Sequence, residues 1–358
     1  MKKLFLHIGF YKTGSTSLQK NLARNAAALQ TQGICYPFAP RAPYTQHWQH
    51  APLAGALPGR KLSWLTPNKA KTLARAYKSM FAAFEASGCD TLVLSSEAFC
   101  DPDVNETRLR WLQETFAGLD IVVIAYIRRQ DTYFLSTYQE LIKAGGTKAF
   151  AFSDYGKVDR LYFARRLAPW RKVFGAGKII VRPFAPNLWP GGELLYDFLP
   201  LIGASRDGLR LEEPANEGLD YRSVELLRQL NQISAAAGQR RQPGLHRLAA
   251  DSDRYFVEQG GKQKMQLSTA QAETLRTHFR AENEAALAGS GISAEDFFPP
   301  VPQDLEERLL PQRLPPELLL KLLWAQAPDA AVGRSKPATG GPKKPRKKRS
   351  AALDQSRG

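Results

Sequence analysis

The sequence predicts an α/β protein in which a doubly wound, mainly parallel sheet is flanked by helices and followed by a helical C-terminal portion. Four short apolar segments alternate with amphipathic helical patterns along the first half of the chain. The apolar segments are continuous, which is typical of strands that helices cover on both faces. Strand–helix alternation at this spacing favours parallel strands joined by right-handed crossovers.

The predicted strands are LFLHIGF (4–10), DTLVLSS (90–96), IVVIAYI (121–127) and KIIVRPF (178–184). Apolar residues recur with helical periodicity in the segments between them. These patterns predict helices over residues 16–30, 68–86, 106–116, 131–144 and 158–174. A stretch rich in proline and aromatic residues, 36–64, interrupts the alternation, and we expect it to form a surface excursion near the strand ends.

Beyond residue 187 the strand pattern fades, and amphipathic helical patterns predict a helical portion that packs on the same sheet. We therefore expect one α/β domain over residues 1–300. A Pro-rich segment with a last short helix at 315–326 follows over residues 301–326. Residues 327–358 are poor in bulky apolar residues and rich in charge, which predicts a disordered basic tail.

The formal net charge of +16 is concentrated in that tail. Residues 334–358 hold nine Lys and Arg against one Asp, a charge of +8, so the rest of the protein is only mildly basic. The tail lacks interleaved aromatic residues for base stacking and an apolar helical face for membrane insertion. We expect weak contact with anionic surfaces and no specific recognition of nucleic acid.

The N-terminal apolar run is too short for a signal peptide, contains His7 and has no small-residue cleavage site. No stretch reaches the ~18–20 apolar residues of a membrane span. Three scattered cysteines are too few for a disulfide framework. These observations predict a soluble, cytoplasmic protein.

A loop of small and hydroxyl residues, GFYKTGSTS (9–17), joins the first predicted strand to the first predicted helix. The first amides of a helix lack intrahelical partners and lie at the positive end of its dipole, so they bind anions well. Gly14 lets the backbone approach an oxyanion, Lys12 adds a positive charge, and four hydroxyl residues add donors: Thr13, Ser15, Thr16 and Ser17. The pattern predicts a phosphate-binding loop on a P-loop-type sheet, with an ordinary strand-to-helix turn as the alternative.

The position of the lysine indicates which phosphate the loop holds. A nucleotide-triphosphatase loop reads Gly-x4-Gly-Lys-Ser/Thr and places a hydroxyl on Mg²⁺. In this chain Lys12 precedes Gly14, which counts against a P-loop kinase or NTPase acting with Mg-ATP. That enzyme class stays an alternative, as does a non-catalytic protein that binds polyanions through its tail.

The string Lys12-Thr13-Gly14-Ser15-Thr16 resembles the 5′-phosphosulfate loop of the sulfotransferases that use 3′-phosphoadenosine 5′-phosphosulfate (PAPS). The pattern of that family is Lys-(Ser/Thr)-Gly-(Ser/Thr)-(Ser/Thr). The longer string HIGFYKTGSTSLQ is similar to the bacterial members that are related to carbohydrate sulfotransferases. The resemblance covers roughly residues 1–290 and does not reach the basic tail.

A second motif of the family consists of an arginine after a later strand and a serine eight positions on, which bind the donor 3′-phosphate. Here Arg128 follows the strand IVVIAYI, and Ser136 stands eight positions later. An arginine at a strand's carboxyl end and a serine in the next helix can converge on one phosphate. Arg129 matches by residue type but not by register, and ranks second.

Sulfuryl transfer requires stabilisation of the charge on the leaving oxygen and a base for the acceptor hydroxyl. Lys12 and the loop amides suit the first role. Glu97 is the best candidate base because it ends a predicted core strand, and Ser95-Ser96-Glu97 resembles a Ser-Ser-Glu string of bacterial relatives. His50 is the rival base, since cytosolic small-molecule sulfotransferases use a histidine.

The resemblance therefore implies transfer of a sulfuryl group from PAPS to an acceptor hydroxyl on a carbohydrate or glycolipid, with no metal ion. It implies donor contacts from Arg128, Ser136 and the loop residues Lys12, Thr13, Gly14, Ser15, Thr16 and Ser17. Either Glu97 or His50 would act as the base beside Lys12.

Overall fold

The computed structural model describes residues 1–60, 70–211, 218–238 and 243–309, with 314, 315, 317 and 318. Met1–Leu314 form one compact unit, and Pro315–Gly358 form a second. The predicted basic tail, 327–358, lies outside the described residues, and so does most of the predicted helix at 315–326. The predicted end of the α/β domain at residue 300 and the predicted start of the tail after residue 326 stay predictions.

A five-stranded parallel sheet forms the centre of the first unit, which confirms the predicted α/β class. The strand order is β2-β3-β1-β4-β5. β2 has only two residues and no apolar run of its own, so the sequence did not predict it. The bounds are β1 Lys3–His7, β2 Ile34–Cys35, β3 Thr91–Ser95, β4 Asp120–Ile127 and β5 Ile179–Pro183.

The helices of the described residues begin with α1 Ser15–Arg24, α2 Ala26–Thr31, α3 Ala51–Gly55, α4 Ala70–Ser87, α5 Glu106–Thr115, α6 Gln130–Lys143 and α7 Phe163–Phe174. The C-terminal portion adds α8 Leu194–Phe198, α9 Tyr221–Ala236, α10 Pro243–Glu258, α11 Thr269–His278, α12 Arg280–Leu287 and α13 Ala294–Phe297. Short 3₁₀ turns connect several of them.

The predicted helix over residues 16–30 is two helices, because the chain breaks at Asn25. The Asn25 amide nitrogen donates to the carbonyl of Arg210 at 2.8 Å, and its oxygen accepts from the Arg210 N–H at 2.9 Å. A partner this distant in sequence is not visible in a local pattern. The predicted helix over 158–174 likewise begins later, at Phe163, after 3₁₀ turns.

Helices cover both faces of the sheet, as the continuous apolar strands predict. Leu4, Leu6 and Ile8 point into the larger core cluster, which includes residues of α4, α5 and α7. Phe5 points to the opposite face, into a smaller cluster with residues of α1, α2 and α8. Side chains of β1 thus point alternately to the two faces of the sheet, and each face packs into its own hydrophobic layer.

The carboxyl ends of the central strands meet at one edge, which we call the carboxyl edge: residues 8–14, 96–101 and 128–136. His7, the last residue of β1, pairs with Ser95 of β3 and Ile124 of β4. The chain runs from β1 to β2 and β3 on one side and then crosses to β4 on the other. Ligand sites of doubly wound sheets form at such a point, where the strand order reverses.

A buried polar network ties the helical portion to the sheet. The Tyr126 hydroxyl on β4 donates to Asp197 Oδ2 on α8 at 2.6 Å, and Arg182 Nε on β5 donates to the same oxygen at 3.1 Å. Asp197 is buried, so its charge depends on these partners. Arg182 therefore serves a structural ion pair.

Candidate functional site

The loop after β1 is a compact turn that bonds to itself. Its backbone takes the left-handed conformation at Gly9, Lys12 and Gly14, with φ of 43°, 66° and 75°. The Thr13 hydroxyl, fully buried, donates to the Phe10 carbonyl at 2.5 Å. A lysine with positive φ is uncommon and costs free energy, which makes Lys12 a place to look for function.

Gly14 stands at the N-terminal cap of α1, and no side chain caps this helix. A Cβ at Gly14 would lie 2.7 Å from Phe184 and 2.8 Å from Leu194. Glycine is therefore required here by side-chain packing as well as by its φ of 75°. The uncapped first turn of α1 keeps its partial positive charge at the carboxyl edge.

The four hydroxyl residues of the loop do not share one environment. Thr13 points into the loop, Ser15 is buried, Ser17 is half-buried and Thr16 is exposed. Ser15 Oγ makes no hydrogen bond of ordinary geometry within the described residues. The structure thus leaves Ser15, Thr16 and Ser17 as hydroxyls for a ligand, whereas the Thr13 hydroxyl maintains the loop.

Lys12 is paired with an acidic side chain of α6. Its Nζ donates to Glu140 Oε1 at 2.8 Å, and Lys143 Nζ lies 3.3 Å from the same oxygen. Partial burial acts to raise the pKa of Glu140, but the two lysines outweigh it and leave that pKa lowered. A carboxylate therefore neutralises the charge of Lys12 in this structure.

Arg128 joins β4 to the loop. Its Nη1 donates to the Lys12 carbonyl at 3.1 Å, and its Nε donates to Thr132 Oγ1 at 3.0 Å. It makes no ion pair in the described part of the chain, and burial lowers the pKa of its guanidinium. Arg129 differs, because its guanidinium bonds Asp131 at 2.7 Å and lies over the Phe298 ring.

Ser136 is half-buried on the face of α6 that turns toward the loop. Side chains four residues apart lie one turn apart on the same helix face. Thr132 precedes Ser136 by four residues and bonds Arg128, while Glu140 follows it by four and bonds Lys12. Ser136 thus lies between two contacts to the predicted donor-binding residues.

Glu97 lies next to the loop, at the start of a 3₁₀ turn after β3. A Cβ at Gly9 would lie 2.8 Å from Ser15 Oγ and 3.3 Å from Glu97 Cγ, so the glycine leaves these two side chains room to lie beside each other. Burial raises the pKa of Glu97 to about 7, although the Ser15 hydroxyl and the Lys12 charge oppose the rise. A carboxylate with this pKa is suited to exchange a proton near neutral pH.

His50 is fully buried, and both ring nitrogens contact the backbone. The Ser95 N–H donates to Nδ1 at 3.1 Å, so Nε2 carries the proton and donates to the Pro37 carbonyl at 2.9 Å. Burial lowers the pKa of His50 to about 4. These contacts favour a structural role that fixes the excursion against β3.

Tyr11 and Asp101 belong to the same edge, and the sequence did not indicate them. The Tyr11 hydroxyl donates to Asp101 Oδ1 at 2.8 Å, while Asp101 Oδ2 accepts from the buried Arg60 at 2.6 Å. Arg60 also donates to the carbonyl of Ala98 at 2.6 Å. This chain of contacts fixes the turn that carries Glu97 against the loop that carries Lys12.

No group of three His, Cys, Asp or Glu side chains in the described residues lies in a position to hold a metal ion. Within the same residues, no helix combines the length and the apolar character that crossing a membrane requires. The predicted independence of metal stays a prediction.

Comparisons with known proteins give little beyond this geometry. No protein-family model matches the chain. An uncharacterized protein of Archaeoglobus fulgidus is 24% identical over 232 residues, which are 62% of this chain and 63% of that protein. The chain thus spans less than two thirds of the length of that relative.

A crystal structure of a sulfotransferase from Alicyclobacillus acidocaldarius is also similar, with 13% identity and a TM-score of 0.43. The similarity covers 81% of this chain and 96% of that one. A TM-score this low supports no conclusion about function. The functional assignment therefore depends on the residues at the carboxyl edge.

Proposed function

We propose that this protein is a PAPS-dependent sulfotransferase that moves a sulfuryl group to a hydroxyl of a carbohydrate or glycolipid. The observation that carries the proposal is the neighbourhood of Gly9, where Glu97, with a pKa of about 7, lies beside Ser15 of the loop. A base and an anion-binding loop at one edge are what transfer from an anionic donor to a hydroxyl requires.

The donor side of the site consists of the loop, Arg128 and Ser136. Lys12, the loop amides, Ser15, Thr16 and Ser17 would bind the 5′-phosphosulfate, while Gly14 and Thr13 give the loop its shape. Arg128 and Ser136 would bind the 3′-phosphate. The support for Arg128 is that it makes no carboxylate contact in the described residues and already bonds the Lys12 carbonyl.

The acceptor side consists of Glu97. Its carboxylate takes the proton of the acceptor hydroxyl as that oxygen attacks sulfur. Lys12 stabilises the phosphate oxygen whose bond to sulfur breaks, and for this its ammonium must leave Glu140. We assign the base to Glu97 rather than His50, because both nitrogens of His50 already bond the backbone.

Titration calorimetry with adenosine 3′,5′-bisphosphate and with ATP tests the donor. We expect the bisphosphate to bind more tightly. We expect Arg128→Ala to weaken it at least tenfold, since a hydrogen bond to a charged group contributes about 1.5–3 kcal/mol. Arg129→Ala is the matched control, because the adjacent arginine is paired with Asp131.

Turnover of labelled PAPS with a panel of oligosaccharides tests the reaction. Lys12→Ala should abolish it while leaving the unfolding transition in place. Tighter binding of ATP than of the bisphosphate, or turnover near the wild-type rate in Lys12→Ala, would overturn the proposed function.

A further inference from the structure

A second cationic side chain lies over the ring of Tyr11, the residue directly before Lys12. The Arg160 guanidinium lies over the Tyr11 ring, 4.5 Å from its centroid. Arg160 is half-buried in the short 3₁₀ turn Asp159–Leu161, which precedes α7. Tyr11 is the residue directly before Lys12, so this contact brings α7 to the phosphate loop.

Arg160 makes no ion pair with a carboxylate within the described residues. Asp159, its neighbour in sequence, accepts instead from Arg166 Nη1 at 3.0 Å and from Arg165. Asp101, the carboxylate on the Tyr11 hydroxyl, has its other oxygen bonded to Arg60. The acidic groups of this neighbourhood are thus satisfied by other partners, and the charge of Arg160 is left uncompensated.

Tyr11 connects Arg160 to the turn that carries Glu97, because Arg160 lies over its ring and its hydroxyl donates to Asp101, the residue that follows the turn Glu97–Cys100. Burial is the main cause that raises the pKa of Tyr11; the Glu97 charge adds to the rise, and the Arg160 charge opposes it. Both side chains are therefore near this phenol. An acceptor whose hydroxyl binds at Glu97 can therefore extend past Tyr11 to Arg160.

A guanidinium that lies over an aromatic face is held in place by the ring while its N–H groups stay available for other partners. Those N–H groups bind a carboxylate with two parallel hydrogen bonds. A buried or stacked arginine with no acid partner is a typical recognition group for such an oxyanion.

We infer that Arg160, stacked on Tyr11, binds a carboxylate of the acceptor, so that the substrate class is an acidic, uronate-bearing carbohydrate. The inference rests on the proposed function for the position of the acceptor hydroxyl. The Tyr11 ring would hold Arg160 in place and so determine how far the acceptor carboxylate lies from the reacting hydroxyl.

The test compares two acceptors that differ only in the anionic group, a uronate-bearing oligosaccharide and its neutral hexose counterpart. Wild-type protein should show a KM at least tenfold lower for the uronate. In Arg160→Ala and Arg160→Gln that preference should fall to about twofold or less, with kcat little changed. A third acceptor carries a sulfate ester in place of the carboxylate. If the wild type prefers it over the neutral acceptor as strongly as it prefers the uronate, Arg160 is an anion-binding residue that accepts either oxyanion.

Arg165→Ala is the matched control, because Arg165 also lies 4.5 Å from a tyrosine ring, that of Tyr162, but is paired with Asp159. It should keep the wild-type preference. Loss of the preference in Arg165→Ala, its persistence in both Arg160 variants, or a wild-type protein that favours the neutral acceptor overturns the inference.

Calorimetry separates this inference from the proposed function. Arg160→Ala should bind adenosine 3′,5′-bisphosphate as the wild type does, while direct binding of the uronate oligosaccharide should weaken at least tenfold. If the wild type binds no bisphosphate, the proposed function fails, and the binding of the oligosaccharide still decides whether Arg160 is an anion site.

Discussion

Lys12 Nζ donates to Glu140 Oε1 at 2.8 Å, which connects the loop after β1 to the middle of α6. The side chains are one third and somewhat less than half exposed, respectively, so solvent screens the pair. The pair competes directly with any anion that Lys12 would bind. Glu140 is thus an acidic residue whose removal should improve a binding site.

Glu140→Gln should bind adenosine 3′,5′-bisphosphate two- to fivefold more tightly than the wild type, because Lys12 no longer has to leave a carboxylate. Loss of the half-exposed pair should cost about 1 kcal/mol of stability or less. Calorimetry gives the affinity and urea unfolding the stability. Glu284→Gln, which removes an exposed ion pair with Arg280, is the control. Weaker binding in Glu140→Gln would mean that Glu140 orients Lys12 rather than competing for it.

Glu97 predicts a pH-dependent rate. With its pKa raised to about 7, the carboxylate form that acts as the base increases between pH 5 and about 8, so kcat/KM should rise over this range and then level off. Glu97→Gln should lose this acidic limb together with at least a hundredfold in rate. A wild-type profile that is flat from pH 5 to 8 would remove Glu97 from the role of base.

The same shift predicts how stability depends on pH. A carboxyl group whose pKa is higher in the folded state holds its proton there more tightly than in the unfolded chain. Its contribution to the free energy of unfolding therefore falls as pH rises from about 4.5 to about 7. The free energy of unfolding of Glu97→Gln, relative to that of the wild type, should therefore increase by on the order of 1–3 kcal/mol from pH 5 to pH 8. Urea unfolding at the two pH values measures this, and the same difference between variant and wild type at pH 5 and at pH 8 would contradict the raised pKa.

Two glycines with nearly equal φ separate backbone strain from side-chain contact. Gly14→Ala places a Cβ 2.7 Å from Phe184 at a φ of 75°, while Gly33→Ala has no heavy atom within 4 Å of the new Cβ at a φ of 77°. Gly33→Ala should cost about 1–2 kcal/mol from the left-handed conformation alone. Gly14→Ala should cost at least 1 kcal/mol more and should weaken bisphosphate binding. If urea unfolding shows that both variants lose the same stability, the Phe184 and Leu194 side chains move away from the new Cβ at no cost.

The network of Asp197 predicts a large coupling. Asp197→Ala leaves Arg182 without its carboxylate and Tyr126 without its acceptor, which should cost about 3–5 kcal/mol. Arg182→Met together with Asp197→Leu removes both charges and should cost clearly less than Asp197→Ala alone. A double variant less stable than the single one would contradict this, and urea unfolding of all variants measures it.

The strands could be predicted because both of their faces are covered, so their apolar residues form unbroken runs. β2 lacks that information, because it has only two residues. The break at Asn25 depends on the backbone of Arg210, a partner 185 residues away that no local pattern contains.

The site was predictable to the extent that its residues follow strand ends. Lys12, Glu97 and Arg128 follow the ends of β1, β3 and β4 within five residues, and the fold brings those ends together. The spacing of Thr132, Ser136 and Glu140 by four was visible in the sequence and would have linked α6 to the loop. The inward hydroxyl of Thr13 and the uncompensated Arg160 depend on tertiary contacts, which residue type and spacing do not contain.

Asp197 lies after the last strand in the sequence, yet groups on two strands depend on it for their hydrogen bonds. Its partners Tyr126 and Arg182 belong to the last two strands, so a chain cut before residue 197 would complete every strand and still leave a guanidinium and a phenol without their acceptor. We therefore expect a fragment that ends before Asp197 to be less stable than the full chain. During synthesis, Tyr126 on β4 and Arg182 on β5 would lack their buried acceptor until the segment that carries Asp197 has left the ribosome.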